Sequence, residues 1–193
     1  MPMEHRSNDV RRNGRRTDAP HGANRDAAAM KINVSAQRHI DAPADRVYRY
    51  IADFREHHPK FLPPQFGDLE IETGGVGAGT VHRFSLTLAG RRTEYRVRVG
   101  EPEPGRVLIE SDPSRLMLTT FTVDRELDGT SRVTIHTRWH TAGATGLVER
   151  IFATRMLRRV YRAELNLLDR YARETVPDSR RRVRTGSGVV SLA

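Results

Sequence analysis

LVERIFATRMLRRVYRAELNLLDRYARE, residues 147–174, is the stretch that decides the architecture. Apolar side chains recur at Val148, Phe152, Met156, Val160, Ala163, Leu167 and Tyr171. A second row runs through Ile151, Leu157, Tyr161, Leu165, Leu168 and Ala172. Two adjacent rows at helical spacing make one broad apolar stripe. Arg155, Arg158, Arg159 and Arg162 fall mainly on the other side. At 1.5 Å per residue such a helix runs roughly 40 Å, long enough to cross a whole domain. Its stripe needs a surface of matching length.

The sequence upstream supplies one. Residues 31–40 alternate, with Ile32, Val34, Ala36 and Ile40 on one face, which predicts a strand. Five further runs read as strands: 69–73, 80–88, 106–111, 116–123 and 131–140. The cleanest is 91–99, where Thr93, Tyr95, Val97 and Val99 face one way and Arg92, Glu94, Arg96 and Arg98 the other. One face is dry and one is wet. Ala89-Gly90 marks a hairpin turn, and Asp112-Pro113 and Asp128-Gly129 mark two more. Between the first strand and the rest lies Asp41-Ala42-Pro43-Ala44-Asp45, which opens a short helix with Pro43 at its first position. Residues 53–58 read as a second short helix, stopped by Pro59. The class is α+β. A curved antiparallel sheet of about seven strands wraps the long C-terminal helix, and two short helices follow the first strand. A cavity between sheet and helix is expected.

Composition bounds the chemistry. The chain has 193 residues, 37% hydrophobic and 30% charged, enough for one modest core. It has no cysteine, which excludes disulfides, thiolate metal sites and cysteine nucleophiles. No apolar run reaches the roughly eighteen residues of a membrane span, so a soluble, cytoplasmic protein is expected. The formal net charge is +9, and all but Lys31 and Lys60 of the 33 basic residues are arginines. That charge is concentrated in the two ends and the last helix. Residues 1–29 lack hydrophobic periodicity and read as a disordered basic tail. Residues 177–193 read the same way, leaving 30–176 as the folded domain. Met30, directly before the first patterned segment, is a candidate start of the natural chain.

The segment Ile40-Asp41-Ala42-Pro43-Ala44-Asp45-Arg46-Val47-Tyr48 resembles the opening signature of the START-like (SRPBCC) superfamily, in particular its polyketide cyclase/dehydrase-type family. The strand run and closing helix follow the same order, so the resemblance spans roughly Met30 to Val176. It implies a helix-grip fold with a deep apolar pocket. Members bind lipids, sterols, polyketides or other hydrophobic molecules, and some are enzymes. Many relatives carry a Trp after the second short helix, where this chain reads Phe54, His57, His58, Pro59 and Phe61.

Within such a pocket the expected lining is Phe54, Phe61, His82, Phe84, Leu86, Tyr95, Val97, Trp139, Phe152 and Met156. His82 shares a strand face with Phe84, Leu86 and Leu88, so it is a candidate general base or a hydrogen-bonded rim residue. Tyr95, on the dry face of its strand, orients a ligand or serves as an acid, or is a core tyrosine with a bonded hydroxyl. Trp139 is expected as a wall or cap. His57 and His58 read as solvated loop histidines, or as contacts to a polar ligand end if the turn lines the entrance. His136 and His140 are four apart on a strand, roughly 13 Å, too far for one ion. No metal or other cofactor is expected. Gly74, Gly75, Gly77 and Gly79 lack the following helix that holds a phosphate, and read as a flexible inter-strand loop.

Three functions follow. The leading one is a carrier or sensor that binds a small hydrophobic molecule such as a lipid or polyketide. The alternative is a polyketide cyclase/aromatase or dehydratase-like enzyme using pocket His82 and Tyr95. The third is a surface-interaction protein, with Arg155, Arg158, Arg159 and Arg162 meeting an anionic membrane or an acidic partner. Specific nucleic-acid binding is not expected, since stacking platforms are not evident.

Overall fold

Alternation along the first strand sets the frame. In a computed structural model, which describes residues 30–141 and 147–175, Ile32, Val34, Ala36 and Ile40 of β1 (Met30–Ile40) are all buried. Helix α1 follows (Ala44–Ala52), then a 3-10 turn (His58–Phe61). The remaining strands are β2 (Phe66–Thr73), β3 (Val81–Leu88), β4 (Arg91–Glu103), β5 (Val107–Asp112), β6 (Met117–Arg125) and β7 (Ser131–Thr141). A single 3-10 turn (Pro113–Arg115) joins β5 to β6, and helix α2 (Leu147–Glu174) closes the fold.

The seven strands form one antiparallel sheet in the order β1-β7-β6-β5-β4-β3-β2. From β2 to β7 each strand pairs with the next, because short turns favour antiparallel neighbours. β1 is the exception. It pairs with β7 at one edge, and the segment from α1 through the 3-10 turn carries the chain to β2 at the other. Helix α2 lies on β1 and on the 3-10 turn, completing a helix-grip fold. Asp169 of α2 fixes that contact. One carboxylate oxygen accepts from Arg38 of β1 at 3.0 Å and also meets Arg173; the other accepts from the Asp41 backbone N–H at 3.2 Å.

Three local readings are corrected. Pro43 caps α1 from outside rather than sitting at its first helical position. The second short helix is not at 53–58. The Asp53 carboxylate accepts the backbone N–H groups of Arg55 and Glu56, which bends the chain there. Pro59 then lies within the first turn of the 3-10 segment, directly after His58, instead of stopping a helix, since a missing N–H costs nothing in a first turn. The apolar rows of α2 are buried or half-buried from Leu157 onward, but Ile151 and Phe152 are 42% and 55% exposed. There Phe152 borders a recess that it shares with Leu88, Tyr95 and Trp139. Arg155, Arg158, Arg159 and Arg162 are exposed on its outer face.

The glycine loop is held rather than loose. Gly75 accepts from the Phe54 backbone N–H at 2.9 Å, and Gly77 donates to the Ala52 carbonyl at 2.9 Å, so the loop is laced to the end of α1. The expected tails, 1–29 and 177–193, lie outside the described residues. Among the described residues no helix is long and apolar enough to cross a membrane.

Candidate functional site

The curved sheet and α2 do not close on one another completely. Between them is a cavity of about 350 Å³, within the range of small-molecule sites. Its outer part is apolar. Phe66, Phe84 and Leu86 form one wall, and Trp139 and Leu157 face them from β7 and α2. The rings of Phe84 and Tyr95 stack at 5.2 Å between centroids, because the two residues are directly opposite on β3 and β4. The Arg115 guanidinium stands 5.2 Å over the Tyr95 ring at the mouth.

The inner end is polar. His82 of β3 and Glu110 of β5 are both buried, with Nε2 and Oε1 3.2 Å apart. The alternation of β5 places Leu108, Glu110 and Asp112 on the inward face. Burial pushes the Glu110 carboxyl up, but its hydrogen bond to His82 and its other interactions with His82 and His58 outweigh this and hold it below the usual carboxylate range. His58 is buried as well. Its Nδ1 lies 2.7 Å from the Ile51 carbonyl, so Nδ1 carries the proton and Nε2 is an acceptor. Burial lowers the pKa of this imidazole against the weaker pull of Glu110 and keeps the ring neutral. From α2 comes Glu164, also buried. Burial, reinforced by the charge of Glu110, raises its pKa well above the ordinary range and so favours the neutral acid. Beside it a chain of hydroxyls runs Thr119–Thr137–Tyr161, with oxygen separations of 2.8 and 2.5 Å.

The expected lining residues divide three ways. His82, Phe84, Leu86, Tyr95 and Trp139 line the cavity. Phe54, Phe61 and Val97 do not; they form the layer behind it. Phe54 packs on the rings of His58 and His82 at 4.7 and 4.6 Å, and Phe61 lies 4.9 Å from His58. Val97 is opposite His82 in register and fully buried. Phe152 and Met156 border a shallow recess at the mouth, together with Leu88, Tyr95 and Trp139. His82 and Tyr95, paired as catalytic candidates, are not brought together, because Phe84 packs against both.

Sequence reading misses Glu110 and Glu164, and it gives His58 as a solvated loop histidine or a contact to a polar ligand end at the entrance. Pro59 makes the turn at His58 look solvated, and the structure buries it instead. Glu110 has a readable signal in the period of two with Leu108. Glu164 has one too, lying three residues after Tyr161 and four before Leu168 on the buried stripe.

The sequence model of a family described as "Polyketide cyclase / dehydrase and lipid transport" matches residues 31–173. No curated protein matches the chain in sequence. Among solved structures, KanY is 27% identical, with a TM-score of 0.66, over 75% of this chain and 99% of that one. TTHA0849 from Thermus thermophilus is 21% identical, with a TM-score of 0.64, over 75% and 99%. The ZhuI aromatase/cyclase from Streptomyces sp. R1128 is 22% identical, with a TM-score of 0.58, over 83% and 100%. The last two likenesses are of fold.

Proposed function

Since the chain belongs to the polyketide cyclase / dehydrase and lipid transport family, we propose that it binds one small, largely apolar molecule in the cavity between sheet and α2. One observation carries this reading: the cavity is apolar along most of its length and polar at its closed end. Such a space takes a ligand by burying its hydrocarbon and fixes it by a few polar contacts. The aromatic wall of Phe66, Phe84 and Trp139 favours flat ring systems.

The test is to fill the space. The neutral fluorophore N-phenyl-1-naphthylamine is expected to bind wild type saturably, one per chain. Leu86→Trp is expected to weaken it at least about tenfold while keeping the melting temperature, since added bulk occupies a void instead of straining a packed core. Equal binding by wild type and variant, or no binding by wild type, would refute the reading.

A second reading is proton-transfer catalysis of the cyclase or dehydratase kind. It is favoured by two carboxyls in one pole whose environments push them apart, Glu164 neutral and Glu110 ionised. In that case Glu164, rather than Tyr95, is the acid that partners His82.

A further inference from the structure

We infer that the ligand class this cavity selects is an apolar amine, its ammonium group seated at the inner end between Glu110 and Glu164. The inference rests on the reading of the cavity as a ligand site and concerns what its polar end accepts.

An inventory of hydrogen-bonding capacity at that end shows a surplus of acceptors. Glu110 uses one carboxylate oxygen on His82, and the other has no donor among the described residues. Glu164 lines the cavity at 2% exposure, and no described residue hydrogen-bonds its carboxyl. His58 spends its one N–H on the Ile51 carbonyl, which leaves Nε2 as a lone pair. His82 is 2% exposed, and its Nδ1 is buried without a partner among the described residues. When Nε2–H donates to Glu110, that Nδ1 is another acceptor. The hydroxyls of Thr119, Thr137 and Tyr161 spend two of their three protons on one another. Among the described residues, the free donors at this pole are the acidic proton of Glu164 and one proton of those hydroxyls, against four open acceptor groups: Glu110, Glu164, His58 Nε2 and His82 Nδ1.

Charge points the same way. The titratable groups around Glu164 are Glu110 on β5, His82 on β3, His58 on the 3-10 turn and Tyr161 on its own helix. Arg115, the one arginine among the described residues that lines the cavity, is at the mouth. A carboxylate-headed ligand entering head first would meet the Glu110 charge with no cation to offset it. A neutral carbonyl would take one of these two protons and leave the acceptors bare. An ammonium has three donors and a positive charge, and it answers both the surplus and the anion. It also removes the reason for Glu164 to stay protonated. The ammonium enters charged, Glu164 becomes a carboxylate, and its proton passes to solvent.

The experiment uses three probes with one indole ring: tryptamine, the alcohol tryptophol and indole-3-propionate. Each is titrated calorimetrically into the full chain in two buffers of different ionisation enthalpy. Tryptamine is expected to bind at least about tenfold more tightly than either analogue, and to release up to one proton per site. Its affinity then rises up to about tenfold per pH unit while Glu164 is neutral in the free protein. Glu164→Gln is expected to remove the proton release and narrow the amine-to-alcohol ratio. Tryptophol binding as tightly as tryptamine, with no proton released, overturns the inference and leaves the cavity reading standing. Preference for the propionate overturns it too. Failure of all three probes counts against both. The release measurement on wild type decides the matter even if the variant does not fold.

Discussion

His82 and Glu110 meet across a strand that belongs to neither. Nε2 lies 3.2 Å from Oε1 although β4 runs between β3 and β5. The two side chains lean together on the concave face, over Val97 and Val99, which pair in register with them and are buried. A buried hydrogen-bonded pair of this kind is fragile in one specific way: either partner alone is worse than neither.

His82→Leu is therefore expected to cost about 3 kcal/mol or more at neutral pH, because it strands the Glu110 carboxylate. The double variant His82→Leu/Glu110→Leu is expected to lose clearly less than the two single losses added. Urea denaturation of the four proteins gives the coupling directly. Simple additivity would mean that the two groups do not interact.

Glu164 gives the pH profile an opposite slope to that of an ordinary carboxylate. Its pKa is raised in the folded protein, so its contribution is fully present below about pH 4.5 and is lost as pH rises through the folded-state value. Glu164→Gln has no such term. The variant is expected to match wild type near pH 4 and to exceed it near pH 8, by about 1.4 kcal/mol for each unit of the shift. Glu110, lowered in the folded state, runs the other way: its stabilisation is present above the unfolded value and is lost as pH falls through the folded one. Parallel stability curves for wild type and Glu164→Gln would contradict a buried neutral acid.

The middle member of the hydroxyl chain matters most. Thr137 meets both Thr119 and Tyr161, and all three are buried. Thr137→Val keeps the shape and removes both bonds, with an expected loss of about 2 kcal/mol. Tyr161→Phe removes one bond and is expected to cost about 1 kcal/mol. Thermal or urea unfolding checks the order, and a larger loss for Tyr161→Phe would reverse the argument.

Two glycines with positive φ separate backbone strain from crowding. A Cβ at Gly75 would run into the Arg55 side chain, whereas one at Gly90 would meet nothing within 4 Å. Gly90→Ala is expected to cost about 1 kcal/mol from conformation alone. Gly75→Ala is expected to cost about 2–3 kcal/mol, since Arg55 must also release the Gly74 carbonyl. Urea denaturation of both variants makes the comparison, and equal losses would mean that Arg55 moves aside freely.

Legibility followed the range of the cause. The period of α2 marked both of its ends, Leu147 and Glu174, and alternation placed Tyr95, Val97 and Val99 on the inner face of β4. Ala89-Gly90 marked its hairpin, since both residues take positive φ. Pro59 misleads because one residue type both ends and begins helices. The Asp53 turn, a side chain bonding two residues on, settles which. Phe54 and Phe61 have the right chemistry for a pocket wall and stand one layer too deep, a difference that depends on how the turn seats on the sheet.

Local pattern alone determined which segments are strands and helices, which faces are apolar, and so the wrapped-sheet architecture. Periodicity is a property of neighbours in the chain, and burial acts on it residue by residue. The site is different. His82 and Glu110 are 28 residues apart in the chain, and Glu164 comes from the last helix. Whether each carboxyl is charged depends on desolvation and on the other charges nearby, and both exist only once the sheet has curved around α2. The tertiary structure alone decided that two acids face one largely apolar cavity, and that burial raises the pKa of one while its neighbours lower that of the other.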